Sequence, residues 1–261
     1  MISLLLLASL ALASNSCFRN AYNASGSISL PYPSPPVSSA SSTSSASGNY
    51  SLFTTLDVTN SSETSWQYFG LQTSNGDPLP SLSYEGCLIV LSDFDEGAPI
   101  TTKYENTASE QSCSAFLSSK CRASILSSIN STALSFSQNG SPKSPCGEMT
   151  TLPTDGCPSY EALTAEIFGK SQNCTTTFGI GASGNTTSWY LKQLDSALPV
   201  IVTAWNNASQ NGEESWADTQ LMCITPDKVV AGSLQSSAGI SLKRSSMNAL
   251  VLSAFLIFFL W

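Results

Sequence analysis

Histidine is absent from the 261-residue chain. Its absence excludes a Ser-His-Asp triad, a Cys-His dyad, a histidine general base and histidine metal ligation together. Charge is also scarce, at 11% of residues, with ten cations against 18 acids and a net charge of −8. Nucleic-acid binding needs a basic footprint, and this balance does not supply one. Neither Cys-x-x-Cys nor Ser-x-x-Lys occurs, so a thiolate metal knuckle and a serine–lysine nucleophile have no motif to stand on. No apolar run reaches the ~20 residues that a membrane-spanning helix requires. What remains is 41% hydrophobic residues, enough for a core, and 72 serines and threonines. Such a surface is kept soluble by hydroxyls more than by ions. The length suits one domain, or two small ones.

Two short apolar runs mark the ends. Ile2 to Ala13 (ISLLLLASLALA), closing on Ala11-Leu12-Ala13, reads as a secretory signal peptide over residues 1–13, although no Lys or Arg precedes it. Ser14-Asn15-Ser16 before Cys17 is not a lipobox. At the other end Ala249 to Trp261 is apolar, Ile240 to Asn248 is a polar spacer, and Ser236-Ser237-Ala238-Gly239 is a run of small residues. Small site, spacer of about 8–12 residues and apolar tail form the pattern for glycosylphosphatidylinositol (GPI) attachment. Ser237 is the expected attachment residue, with Ser236 the alternative; residues 234–237 form the attachment region and 238–261 the propeptide removed. The expected location is the cell surface, on the outer leaflet of the plasma membrane, with transfer to wall polysaccharide as an extension of it. Removing both signals takes Lys243 and Arg244 away and leaves eight cations against 18 acids, a charge of −10.

The cysteines and sequons fit an oxidising, glycosylating route. Cys17, Cys87, Cys113, Cys121, Cys146, Cys157, Cys174 and Cys223 are an even set, read as four disulfides. One pairing is excluded: Cys113 and Cys121 lie eight apart in a segment read as helix, roughly 12 Å from each other and beyond disulfide reach. Cys146, Cys157 and Cys174 are their nearest loop candidates. Asn-x-Ser/Thr sequons stand at Asn23, Asn49, Asn60, Asn130, Asn139, Asn173, Asn185 and Asn207. Fifteen asparagines in a chain with 72 hydroxyl residues would give about four by chance, so the count alone argues little. On a secretory route the occupied ones should be exposed.

Residues 14–48 read as a Ser/Thr/Pro-rich tether. Ser34 to Gly48, with eight Ser, one Thr and two Pro, cannot bury enough apolar area to order itself and reads as disordered and O-glycosylated. Cys17 would then reach back to the main domain or pair between chains. The cysteine-rich domain is expected over 49–233. Tyr50–Thr59, Ser65–Thr73, Leu82–Leu91, Val200–Trp205 and Thr219–Ile224 read as strands. Ala108–Leu134 reads as the main helix, with Thr107 and Glu110 at capping-box spacing and Cys113, Phe116, Leu117, Cys121, Ile125 and Ile129 on one face. Tyr160–Phe168 reads as a second helix, with Tyr160, Leu163 and Ile167 as its stripe and Gly169 as its stop. The expectation is α+β: an antiparallel sheet with two helices, disulfide-stapled.

Three constellations could carry chemistry. Gly179-Ile180-Gly181-Ala182-Ser183-Gly184 matches GxGxxG, but a sequon follows where a helix should open, so it reads as a glycine-rich turn and no nucleotide is expected. Asp93-Phe94-Asp95-Glu96-Gly97 could ligate calcium; without EF-hand spacing it reads as a solvated turn, and no metal or cofactor is assigned. The same acids, with Glu85, Glu213 or Glu214, could form the carboxylate pair of a wall-glycan hydrolase or transglycosylase. No pair is singled out, and no catalytic residue is assigned. Trp66, Tyr68, Phe69, Trp189, Tyr190, Trp205 and Trp216 could stack on sugar rings, with Trp66 and Tyr68 on one strand face and Phe69 on the other. Burial in the core is the favoured reading for aromatics in strands.

The block Leu198 to Ser233 holds an apolar strand ending in Ala204-Trp205-Asn206, then Asp218-Thr219-Gln220-Leu221 leading to Cys223, then Pro226-Asp227-Lys228-Val229. It resembles the C-terminal part of secreted, GPI-anchored glycoproteins of filamentous ascomycete fungi. The resemblance implies a location and brings no catalytic residue. The expected role is structural or adhesive. The alternatives are the carboxylate-based hydrolase and an extracellular glycan- or small-ligand-binding module.

Overall fold

The computed structural model describes residues 24–31, 49–58, 64–73, 84–92, 113–114, 117–152, 156–166, 178–183, 190, 193–194, 197–230 and 233. Along the chain lie β1 (Ala24–Pro31), β2 (Asn49–Val58), β3 (Thr64–Thr73), β4 (Tyr84–Ser92), α1 (Ser119–Asn139), α2 (Pro145–Glu148), β5 (Glu161–Glu166), β6 (Phe178–Ser183), β7 (Leu198–Asn206), α3 (Ala208–Asn211), β8 (Ala217–Ile224) and β9 (Lys228–Val229). The strands form two antiparallel sheets. Sheet A has the order β6-β3-β2-β1-β9 and sheet B the order β5-β4-β7-β8. The class is α+β, with the sheets dominant.

Three layers stack in the order sheet A, sheet B, α1. Leu88 and Val90 of β4 and Val200, Val202 and Ala204 of β7 meet Ile28, Leu30, Tyr50, Leu52, Phe69 and Leu71 of sheet A. The alternate residues Cys87, Ile89 and Leu91, with Ile201 and Trp205, meet Cys121, Ile125, Ile129, Ala133 and Phe136 of α1. Side chains alternate along a strand, so a sheet covered on both faces must be apolar at every position. This explains the unbroken run Cys87 to Leu91 and the nine buried residues of β7. In sheet A, β1 is covered on one face and shows the consequence: Ala24, Gly26, Ile28 and Leu30 are buried, whereas Ser25, Ser27, Ser29 and Pro31 face outward. On the neighbouring β2 the outward Phe53 and Thr55 are buried as well. The Tyr50 and Tyr84 hydroxyls hydrogen-bond across the two sheets.

Four expectations require correction. β1 lies inside the segment read as a tether, so the folded unit reaches back to Ala24 and pairs there with β9, Ala24 against Val229. The main helix starts at Ser119 rather than Ala108. Cys113 sits in a separate turn held to Cys223, and Ser118 is the N-cap. Thr107 and Glu110 lie outside the described residues. The second expected helix is β5 over residues 161–166, paired with β4 from Ser92↔Glu161 to Cys87↔Glu166. Its Ala, Leu and Glu favour helix, but the open edge of β4 needs a hydrogen-bonding partner, and tertiary pairing overrides the propensity. The glycine-rich turn is the edge strand β6, in register with β3.

α1 is poor in helix-forming composition: serines recur through it, and neither terminal turn carries a charge that complements the dipole. Packing and caps hold it instead. Cys121, Ile125, Ile129, Ala133 and Ser137 are buried at intervals of four. The Ser118 hydroxyl accepts from the Cys121 N–H at 3.1 Å and donates to the Gly156 carbonyl at 3.1 Å. Gly140, at φ 89°, ends the helix in a conformation that side chains disfavour. Ile125→Ala is expected to cost about 2–5 kcal/mol, and Ser118→Ala about 0.5–2 kcal/mol, both read from denaturant unfolding. A neutral Ile125→Ala would contradict the layer order.

Candidate functional site

Among the described residues, the disulfides gather on the sheet B–helix side of the molecule. Cys87–Cys146 ties β4 to α2 with Cα atoms 5.6 Å apart, Cys113–Cys223 ties the turn before α1 to β8 at 5.1 Å, and Cys121–Cys157 ties the first turn of α1 to the approach to β5 at 4.9 Å. All lie in the range a disulfide spans. Cys113 and Cys121 do not pair with each other, and Cys157 is among the partners expected for them. Cys223 was not: its closeness to Cys113 depends on α1 lying over β8, which spacing alone does not reveal. Cys17 and Cys174 lie outside the described residues.

The Ala204-Trp205-Asn206 block locks β7 to α1 and to the turn before β8. Trp205 is fully buried, packs edge-on against Phe136 at 5.6 Å and donates from Nε1 to the Ser141 hydroxyl at 2.9 Å. Asn206 is buried, and its Oδ1 accepts from the Ser137 hydroxyl at 2.6 Å and from the Trp216 N–H at 3.0 Å. Its Nδ2 donates to the Glu214 carbonyl at 2.9 Å and faces Glu213 Oε2 at 3.5 Å. One amide thus joins β7, α1 and the turn leading into β8. Glu213 and Glu214 are exposed on that turn and Glu85 is half-buried on β4, while Asp93 and Asp95 lie outside the described residues. Among the described residues, no three metal-ligating side chains come together.

The sequons that can be placed occupy different environments. Asn49 is exposed at the start of β2, and Asn139 is exposed in the last turn of α1, with Nδ2 donating to the Ser135 carbonyl at 3.1 Å. Asn207, half-buried, is the N-cap of α3, and its Oδ1 accepts from the Ser209 hydroxyl at 3.0 Å. Asn130 faces sheet B: its Oδ1 accepts from the Thr219 hydroxyl at 3.2 Å, and Thr219 in turn meets Thr203 at 2.8 Å. Asn23, Asn60, Asn173 and Asn185 lie outside the described residues, as do the signal segment and Ser236 and Ser237.

The aromatic set divides sharply. Phe69, Tyr190, Trp205 and Trp216 are buried, and Trp189 lies outside the described residues. Trp66 and Tyr68 sit half-buried on the outer face of sheet A, opposite in direction to Gln67, Phe69 and Leu71. Their rings stack at 6.3 Å with 23° between planes. Across β2 they stand in register with Asp57 and Thr55. On the edge side they stand in register with Gly181 and Gly179 of β6. The first two glycines of GxGxxG therefore lie in a strand beside two aromatic rings. A dinucleotide site needs them in a turn that opens a helix.

No protein-family model matches the chain, and neither a curated protein nor a solved structure does.

Burial raises the phenol pKa of Tyr160 and Tyr190 above the usual tyrosine value. A raised folded-state pKa contributes stability that is complete below the unfolded-state value near 10 and is lost as pH climbs through the folded-state value. An alkaline absorbance titration is therefore expected to show late-ionising tyrosines, with unfolding as they ionise. Asn206→Ala leaves two donors and two acceptors without their partner and is expected to cost at least about 1–3 kcal/mol in denaturant unfolding. Replacing Cys121 and Cys157 together by alanine is expected to cost about 2–4 kcal/mol.

Proposed function

We propose that this protein is an extracellular glycoprotein held on the cell surface by a glycosylphosphatidylinositol tether, with a binding or structural role rather than a catalytic one. The observation that carries the reading is the cross-linking of the folded unit. Three disulfides close loops of 59, 110 and 36 residues around one sheet–helix interface, as suits a chain that matures in an oxidising lumen. The two apolar terminal runs supply the route and the tether, and the sequons and serine-rich segments supply the glycosylated surface. Asn206, the most elaborately bonded polar residue near the candidate carboxylates, serves the fold, which leaves Glu213 and Glu214 on an exposed turn with no cleft residue assigned to them. The partners on this reading are the outer leaflet and, beyond it, neutral wall polysaccharide.

Phosphatidylinositol-specific phospholipase C is expected to release the protein from intact cells. The native C-terminal peptide is expected to end at Ser237 or Ser236 with the glycolipid remnant attached. Mass spectrometry that finds Trp261 on mature protein would overturn the tether.

A further inference from the structure

We propose that Asn139 and Asn207 each carry an N-linked oligosaccharide, and that the two sugars form one cap over the end of the molecule where α1 meets α3, shielding the Glu213–Glu214 turn. The inference deepens the surface-glycoprotein reading and rests on it for the enzyme that attaches the sugar. That the two sites meet is a property of the fold.

The sequons Asn139-Gly140-Ser141 and Asn207-Ala208-Ser209 are distant in the chain, and the packing of α1 on β7 brings them together. Ser137, two residues before Asn139, donates to Asn206 Oδ1 at 2.6 Å. Ser141, two residues after it, accepts from Trp205 Nε1 at 2.9 Å. Trp205 and Asn206 directly precede Asn207. Asn139 is thus bracketed by two bonds to the approach to Asn207. The sequons also touch: a side-chain carbon at Gly140 would stand 3.6 Å from Ser209 Oγ. Around the meeting point Gln138, Asn139, Ser209 and Gln210 are exposed, as are Glu213 and Glu214 on the turn after α3.

The bonds that each asparagine makes survive the reaction. Attachment joins Nδ2 to the anomeric carbon of an oligosaccharide carried on a lipid pyrophosphate. The carbon–oxygen bond to the pyrophosphate breaks, the pyrophosphate leaves with the electron pair, and one amide proton passes to base. One N–H and the carbonyl oxygen remain. Asn139 Nδ2 still donates to the Ser135 carbonyl at 3.1 Å, and Asn207 Oδ1 still accepts from the Ser209 hydroxyl at 3.0 Å. The sequon hydroxyls are taken up by the fold afterwards: Ser141 serves the buried Trp205, and Ser209 serves Asn207. Attachment therefore precedes the closing of α1 onto β7. The turn below has a use for the cap. Asn206 holds it by donating to the Glu214 carbonyl at 2.9 Å, and an exposed turn is where proteases nick a chain. A bulky, hydrated oligosaccharide covers such a turn without adding charge to an acidic protein.

The test uses the full protein extracted in detergent, so that it does not depend on how the chain is anchored. Enzymatic removal of N-glycans in heavy-oxygen water, followed by peptide mass spectrometry, is expected to find the oxygen label at positions 139 and 207. A glutamate-specific protease acting on the folded protein is expected to cut after Glu213 or Glu214 slowly. Carrying Asn139→Gln and Asn207→Gln together should speed that cut several-fold, with each single variant in between. Thermal unfolding should show the variants folded. If the double variant does not fold, the unaltered protein trimmed by an endoglycosidase takes its place in the protease comparison. Absence of label at either position, in a protein labelled at other sequons, overturns the cap, as does a cleavage rate that loss of the sugars leaves unchanged. Absence of label at every sequon would overturn the secretory reading together with the cap. Label at both positions in a protein that phospholipase does not release would sink the tether and leave the cap standing.

Discussion

The structure depends on burying sheet B from both sides. β4 and β7 have no face that could meet water: Leu88, Val90, Val200 and Val202 point one way, and Cys87, Ile89, Ile201 and Trp205 the other. Two covers are therefore required. Sheet A supplies one, and α1 supplies the other. At roughly 25 cal/mol for each Å² of apolar surface removed from water, the central strands contribute more than any hydrogen bond named above. The serine-rich helix would not persist by propensity; it persists because those strands need it.

Among the described residues, the covalent links fall on the side where the cover is weakest. A sheet-on-sheet contact brings many residues together along several strands. A single helix on a sheet offers one stripe, spaced by four from Cys121 to Ser137. Among the described residues, the three disulfides and the Asn206 amide lie on that side and hold α1, its preceding turn and its following loop to β4, β7 and β8. Sheet A is secured by strand pairing and the sandwich core. The half-buried Trp66–Tyr68 pair lies on its outer face.

Legibility in the sequence followed the physics of each element. The segments Leu82–Leu91 and Val200–Trp205 announced strands because double-sided burial leaves long unbroken apolar runs there. β1 was hidden for the converse reason: its period of two is present, but the outward positions are serines within a longer serine-rich stretch, and composition masked the alternation. β5 was misread because Ala, Leu and Glu carry a helical preference that the open edge of β4 overrules. β6 was misread because glycine usually signals a turn, whereas here Gly179 and Gly181 stand beside the aromatic pair of β3. That Trp66 and Tyr68 share a face could be read from their spacing. That this face is the outer one, still partly open, could not, since it depends on which side of β3 meets sheet B.

By itself the sequence determined the two short apolar runs at its ends, the even cysteine set with Cys113 and Cys121 barred from pairing, the absence of histidine chemistry, and the apolar strands at the centre. These follow from residue identity and from periods along the chain, and both are local. Only the tertiary structure decided that Cys113 meets Cys223, that Asn206 is a structural lock, and that β1 joins the folded unit. The same holds for which of the aromatics remain at the surface. Each of these depends on residues far apart in the chain becoming neighbours once both faces of sheet B are covered.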